Sequence, residues 1–370
     1  MERYFWQQKG WPYLTWNNKE LSYVLGEVRN RHGRLAGKAS LLGIDIKREV
    51  LLDSITNDIA KSSELEGKKL DTKLIRSSVA SHLNITMSNL PSKDPRIEQT
   101  VNVTIDALSN YRQPVTEERI FKWKKAFGAT NKHYSDTVGY RNARINSNGS
   151  NLYTYDSSLI SEEIQRFIKW MNTIHPIDPV LKAGIAHLRF LFIKPFDEDN
   201  GLIARSLMDI FLTRADDQPK RLFSLSAQMC KQKEAYHHII QQAHLNSNLD
   251  ITEWLLWYLY CLESALIEAE NSLTRILEKS KIEAENSLTR ILEKSKFWEK
   301  YRLLRLNDRQ VKMINLLWEG GLDGNLTSSY WANINLCSPD TALRDIQDLI
   351  DKKVLFKKDG GGRSTSYELN

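Results

Sequence analysis

The stretch Phe192-Ile193-Lys194-Pro195-Phe196-Asp197-Glu198-Asp199-Asn200-Gly201-Leu202-Ile203-Ala204-Arg205 concentrates residues able to handle an anion. An apolar run feeds a Pro-Phe turn, an acidic loop with Asn200-Gly201 follows, and a helical pattern carrying Arg205 begins directly after it. A helix start offers unpaired backbone N–H groups and the positive end of the helix dipole, and glycine lets a ligand approach the backbone, so this order suits phosphate. Taken alone, the stretch also reads as a polar connection between two core helices. From Lys194 to Arg205 there are two cations (Lys194, Arg205) and three anions (Asp197, Glu198, Asp199), a net of −1 in a place suited to a polyanion.

The segment resembles the signature of the Fic family, HPFx[DE]GNGRxxR, whose active members transfer AMP from ATP to a protein hydroxyl. Pro195, Phe196, Glu198, Asn200, Gly201 and Arg205 match it; Lys194 stands at the catalytic histidine, Asp199 at a glycine and Leu202 at the first arginine. The resemblance implies a nucleotide-binding set of Phe196, Glu198, Asn200, Gly201 and Arg205, with Glu198 holding Mg²⁺ and Asn200 and Arg205 contacting phosphate oxygens. Lys194 occupies the catalytic position without the means to serve there. An unperturbed lysine has a pKa of about 10.4 and almost no free lone pair at neutral pH, and Glu198 and a phosphate would favour its charged form further. Loss of a general base removes roughly 10² to 10⁴ in rate. Leu202 removes a cation, and Asp199 places a carboxylate where the triphosphate should lie. The expectation is a relative of protein adenylyltransferases with AMP transfer lost or strongly weakened, using ATP and Mg²⁺ only if nucleotide binding is retained. The alternative is a DNA-binding regulator that uses the Fic-like core as scaffold or nucleotide sensor.

Ser62-Ser63-Glu64-Leu65-Glu66-Gly67 matches the family's inhibitory pattern [ST]xxxE[GN]. The resemblance implies that Glu66 reaches Arg205 and keeps ATP from binding productively, with Ser62 and Gly67 completing the pattern. By its residues alone it is a helix end stopped by Gly67. Trp6-Gln7-Gln8, Trp11-Pro12, Trp16, Asp178-Pro179-Val180-Leu181-Lys182-Ala183 and Thr341-Ala342-Leu343-Arg344-Asp345 are similar to a bacterial Fic subgroup with an N-terminal helical region and a C-terminal winged helix, so the resemblance covers almost the whole chain.

The elements that must position these residues are mainly α-helical. Apolar spacings of three and four predict helices through 17–90, 97–109, 120–127, 158–172, 180–193, 202–213, 234–243 and 251–266. Asp178-Pro179 opens the 180–193 helix, whose nearly unbroken apolar run marks it as the most buried. Asn148-Gly149 predicts a short β-hairpin flap between 143 and 154. Residues 267–281 read IEAENSLTRILEKSK and 282–296 repeat them without a change, which is read as a tandem duplication within an exposed linker helix. The second copy adds about 22 Å at 1.5 Å per residue. Helices at 308–318, 327–333 and 341–352, then strands at 354–356 and 365–369, give the order of a winged helix-turn-helix, with Arg344, Gln347, Lys357, Lys358 and Arg363 as its DNA-binding candidates. The expected organisation is an N-terminal helical region 1–110 with the inhibitory-type helix, a Fic-like core 111–266, the duplicated linker helix 267–296 and a winged helix 297–370.

With 370 residues, 41% of them hydrophobic and 26% charged, the chain can bury two or three cores. A net charge of +6 and a pI near 9.0 permit contact with nucleic acid and decide nothing. Cys230, Cys261 and Cys337 form no CxxC pair and the first residues lack an apolar signal core, so the chain reads as reduced and cytoplasmic. No run approaches the roughly 18 apolar residues of a membrane span. The expected partners are DNA through the winged helix and a protein target, with no membrane, and a homo-oligomer is left open.

Overall fold

The computed structural model describes residues 7–86, 94–128, 139–141, 157–217, 221–245, 248–319, 325–358 and 365–370. The hairpin expected at 143–154 and the turn carrying Arg363 lie outside them. The chain forms two compact units, Met1–Arg275 and Ile276–Asn370. The regions 1–110 and 111–266 share the first.

In that unit, α1 (Asn18–Ser40) starts where the Asn17 side chain accepts from the Lys19 N–H, and it buries Leu21, Val24, Val28, Leu35 and Ala39. The predicted helical stretch 17–90 resolves into α1, α2 (Ile44–Leu65) and α3 (Thr72–His82), followed by α4 (Pro95–Ser109) and α5 (Glu117–Gly128). Leu51, Leu52, Ile55 and Ile59 of α2 form a core with Ile75 and Val79 of α3 and Ile97 and Val101 of α4. After α6 (Ile160–Asn172) come α7 (Pro179–Ile193) and α8 (Asn200–Asp216), which pack along each other. The Asp178 carboxylate accepts from the Val180 N–H at 2.8 Å, with Pro179 at the first turn, and α7 is then buried at almost every position. Its polar side chains are absorbed by aromatics: Lys182 lies over Trp170 and Phe211 and donates to the Thr173 carbonyl, and His187 stacks on Trp254 and meets the Tyr236 hydroxyl at 2.9 Å. Next come α9 (Leu225–Lys231), α10 (Lys233–Leu245) and α11 (Thr252–Lys300). Thr15 clips the N-terminal segment to the start of α11 through two backbone hydrogen bonds, to the Leu249 carbonyl and from the Ile251 N–H.

One face of α2 points at α8. Asp58, Ser62 and Glu66 recur at intervals of four, the period of a single helix face. Arg221 binds Asp58 at 2.9 Å and also Asp209 on α8, all three being buried, and Asp58 additionally accepts from the Ser224 hydroxyl and the Ser226 N–H.

The duplicated segment corrects the expectation of a uniformly exposed linker. In the first copy Ala269, Glu270 and Leu273 are buried, Arg34 pairs with Glu270, and Lys38 donates to the Thr274 hydroxyl. In the second copy Ile282, Leu288, Ile291 and Leu292 are each more than half exposed. The second unit holds α12 (Asp308–Glu319), α13 (Ser328–Asn335), α14 (Pro339–Asp351), β1 (Leu355–Lys357) and β2 (Tyr367–Leu369). Its strands pair antiparallel with Phe356 opposite Glu368, Leu326 bridges Tyr367, and Met313, Trp331, Ile346 and Leu349 form the core. Among the described residues no helix is long and apolar enough to cross a membrane.

Two stability predictions follow from the buried charges. Arg221→Met leaves Asp58 and Asp209 buried without their shared guanidinium, and the unfolding free energy from urea titration should fall by about 3–5 kcal/mol. Burial, reinforced by the Arg205 charge, pushes the His187 pKa down to about 3. An unfolded histidine titrates near its ordinary value, so below about pH 6.5 the unfolded chain takes up a proton that the folded chain refuses. The stability contributed at this site therefore declines by about 2 kcal/mol between pH 7 and pH 5. His187→Gln should flatten that part of the stability profile, and an unchanged slope would exclude His187 as its source.

Candidate functional site

The loop between α7 and α8 is held by its backbone. Lys194 and Asp199 both adopt left-handed conformations, with φ of 45° and 68°, and they bracket a tight turn. The Asn200 carboxamide accepts from the Phe196 N–H at 3.1 Å and donates to the Phe196 carbonyl at 2.7 Å. Buried Arg141 donates through its backbone N–H to the Pro195 carbonyl and through Nε to the Lys194 carbonyl. The Phe196 ring is 1% exposed between Phe121 and Tyr140, at centroid distances of 5.8 and 5.9 Å. These contacts place Phe196 and Asn200, both expected at a nucleotide, in the frame of the loop itself. The Phe196 ring is buried, and the Asn200 amide shapes the loop.

At the other end of the motif, Arg205 is buried and faces the end of α2. Its Nε donates to Ser62 Oγ at 2.7 Å, and its Nη2 donates to the Ser62 carbonyl at 2.8 Å and to Glu66 Oε1 at 2.9 Å. Gly67 takes a φ of +75°, and the Gly67 and Lys68 N–H groups return to the Glu64 and Ser63 carbonyls, so the helix stops and projects Glu66 forward. Gly201 makes room for it. A Cβ at 201 would lie 1.9 Å from Glu66 Oε1 and 3.1 Å from Arg205 Nη1, so the Glu66 carboxylate lies against the first turn of α8, the positive end of that helix. Arg205 Nη1 is buried with no hydrogen-bond partner among the described residues. Ser62, Glu66, Gly67, Gly201 and Arg205, apart in sequence, thus form one cluster.

Asp199 overturns the simple charge count. Its carboxylate is 1% exposed and bound by Lys68 at 2.5 Å and by Lys124 at 2.9 Å. With Lys68, Lys124, Arg141, Lys194 and Arg205 against Glu66, Asp197, Glu198 and Asp199, five cations meet four anions, and the surplus of negative charge read from the motif alone disappears. The Lys194 pKa also moves opposite to the expectation. Burial and the Arg141 charge lower it, and Glu66 and Asp197 only partly offset them. Leu202 is buried and faces Asp58, Ser62 and Phe127 across a cavity of about 10 Å³, at or below the size that holds one water. Lys68, Lys124 and Arg141 were not legible as site residues. Lys68 stands two positions after Glu66, a weak hint, whereas only the fold brings Lys124 and Arg141 to the loop.

The cluster fits a phosphate-bearing cofactor once Glu66 withdraws, because the Arg205 guanidinium and the open Gly201 backbone would then face it. Glu198 and Asp197 are exposed, and Mg²⁺ commonly takes one or two carboxylates plus substrate phosphates. No group of three or more metal-ligating side chains occurs among the described residues. In the second unit Arg344 and Gln347 are exposed on α14 and Lys357 and Lys358 on the β1 side, with Gln347 bonded to Asp351 and Lys358 paired with Glu368.

Residues 114–212 match the Fic/DOC family, and residues 4–85 match a domain of unknown function, DUF4172. The protein adenylyltransferase Fic of Drosophila melanogaster is 30% identical over 105 residues, covering 28% of this chain and 20% of that protein, and that of Drosophila virilis gives the same figures. The chain thus spans about a fifth of the length of the curated relatives it matches. A Fic family protein from Desulfovibrio desulfuricans G20 superposes over 97% of this chain and 98% of its own, with a TM-score of 0.55 at 15% identity. A Fic domain containing signaling protein from Bacteroides thetaiotaomicron covers 67% of this chain and 98% of its own, with a TM-score of 0.51 at 18% identity. The solved structures show a shared fold, and the match over residues 114–212 gives the conclusion: the chain carries a Fic/DOC family domain, similar in sequence to part of the protein adenylyltransferases of that name.

Proposed function

We propose that this chain is a Fic protein whose nucleotide site is kept in an inhibited form and whose AMP transfer to a protein hydroxyl is lost or strongly weakened. The observation that carries the reading is the Glu66–Arg205 ion pair laid over Gly201. It sets a carboxylate at the helix start where a phosphate would gain most from the dipole and from Arg205. When bound, ATP with Mg²⁺ would supply the AMP group, with pyrophosphate as its leaving group. Arg205 would hold it through Nη1, the Gly201 backbone would admit it, and Glu198 would stand at the metal. Lys194 remains the deficient member. Burial and Arg141 move its pKa in the useful direction, but a lysine starts about 3.4 units above neutrality, so only a large shift would leave it able to accept a proton at pH 7. Leu202 adds no cation to the site.

The test is transfer from labelled ATP in the presence of Mg²⁺. Wild-type chain should label neither itself nor lysate proteins. Lys194→His, Asp199→Gly and Leu202→Arg combined with Glu66→Gly should raise labelling by roughly 10² or more, the scale of a recovered general base. Labelling by wild type at the rate of this combined variant would overturn the reading.

A second reading concerns Ile276–Asn370. Three helices followed by a hairpin, with a bridge from Leu326, support a winged helix, and exposed Arg344, Lys357 and Lys358 favour DNA as its partner, whereas exposed Asp340 and Asp351 weaken that surface. The full chain should bind duplex DNA at low salt and release it steeply as salt rises, and Lys357→Glu with Lys358→Glu should abolish binding. Absence of salt-dependent binding would remove DNA from the account.

A further inference from the structure

We infer that Lys68, Asp199 and Lys124 form a second clamp, independent of the Glu66–Arg205 pair, that ties the motif loop to the end of α2 and to α5. The consequence for nucleotide binding rests on the reading proposed above; the clamp itself rests on geometry. Gly67 turns the chain between Glu66 and Lys68, so one turn delivers an anion to Arg205 and, two residues later, a cation to Asp199. Lys124 reaches the other Asp199 oxygen from α5. The carboxylate therefore bridges three elements: the turn that ends α2, α5 and the start of α8. With its side chain 1% exposed, Asp199 requires these cations, because a buried carboxylate deprived of its partners is strongly destabilising.

The clamp belongs to this chain's departure from the signature. Glycine at 199 would tolerate the left-handed backbone with no strain but would offer no carboxylate, whereas aspartate is one of the few other residues that adopts this conformation readily. Lys68, Asp199 and Lys124 are positioning residues. They hold the inhibitory turn in place even when Glu66 is removed, so release of Glu66 alone does not free the start of α8.

Hydrogen exchange of the full chain, followed in peptides spanning 58–70, tests the clamp directly. Asp199→Asn preserves shape and left-handed tolerance while deleting the charge. It should speed exchange there by about tenfold or more, both alone and in a Glu66→Gly background, because local opening reports the lost contact energy. Calorimetry with ATP and Mg²⁺ provides the second readout, with Glu66→Gly/Asp199→Asn expected to bind at least about tenfold more tightly than Glu66→Gly alone. Exchange unchanged by Asp199→Asn in both backgrounds overturns the clamp. Equal ATP affinity of the two Glu66→Gly variants overturns its control of the site. Faster exchange with no ATP binding by any variant upholds the clamp and instead defeats the nucleotide reading.

Discussion

The burial of the Arg205 guanidinium is the constraint around which the first unit is organised. A charge that is 2% exposed must be given acceptors and a counter-ion, and its hydrogen bonds among the described residues go to α2 and the residue that caps it. Ser62 and Glu66 supply both, so α2 has to lie against α8 in a register that puts its last turn over Gly201. Arg221 repeats the solution one turn back along α2, joining Asp58 to Asp209. Two buried arginines thereby fix a helix that is also anchored by apolar packing against α3 and α4.

The motif loop follows the same logic with the signs reversed. Asp199 is the buried anion, and the cations come from outside the motif. The loop's own polar groups close on themselves through Asn200 and Phe196, and Arg141 satisfies the carbonyls of Lys194 and Pro195. Among the described residues Glu198 is exposed and Lys194 half-buried, while Arg205 and the start of α8 are covered by Glu66.

The duplicated fifteen residues show how little a sequence decides about its own surroundings. Leu273 is buried in the first copy, and its counterpart Leu288 is 58% exposed in the second. Arg34 and Lys38 on α1 reach Glu270 and Thr274 of the first copy. Both copies are helical because alanine, leucine, glutamate and lysine propagate a helix wherever they stand.

Periodicity and caps were legible for the helices flanking the motif: the Asp178-Pro179 start, the apolar run to Ile193 and the restart after Asn200 all reflect forces acting within a few residues. The stop at Gly67 was legible for the same reason, since a left-handed residue ends a helix locally. Helix α9 was missed because seven residues carry too little periodicity to stand out. The amino acids by themselves determined the helical class, while the resemblance to a family signature supplied the motif, its three expected departures and the expected pairing of Glu66 with Arg205. Only the tertiary structure decided that Asp199 is neutralised, that the Lys194 pKa falls and that the Phe196 ring is sealed. Each of these depends on Lys68, Lys124, Arg141, Phe121 or Tyr140, which lie far from the motif in sequence. Electrostatic and packing energies follow distance in space, and no local pattern encodes it.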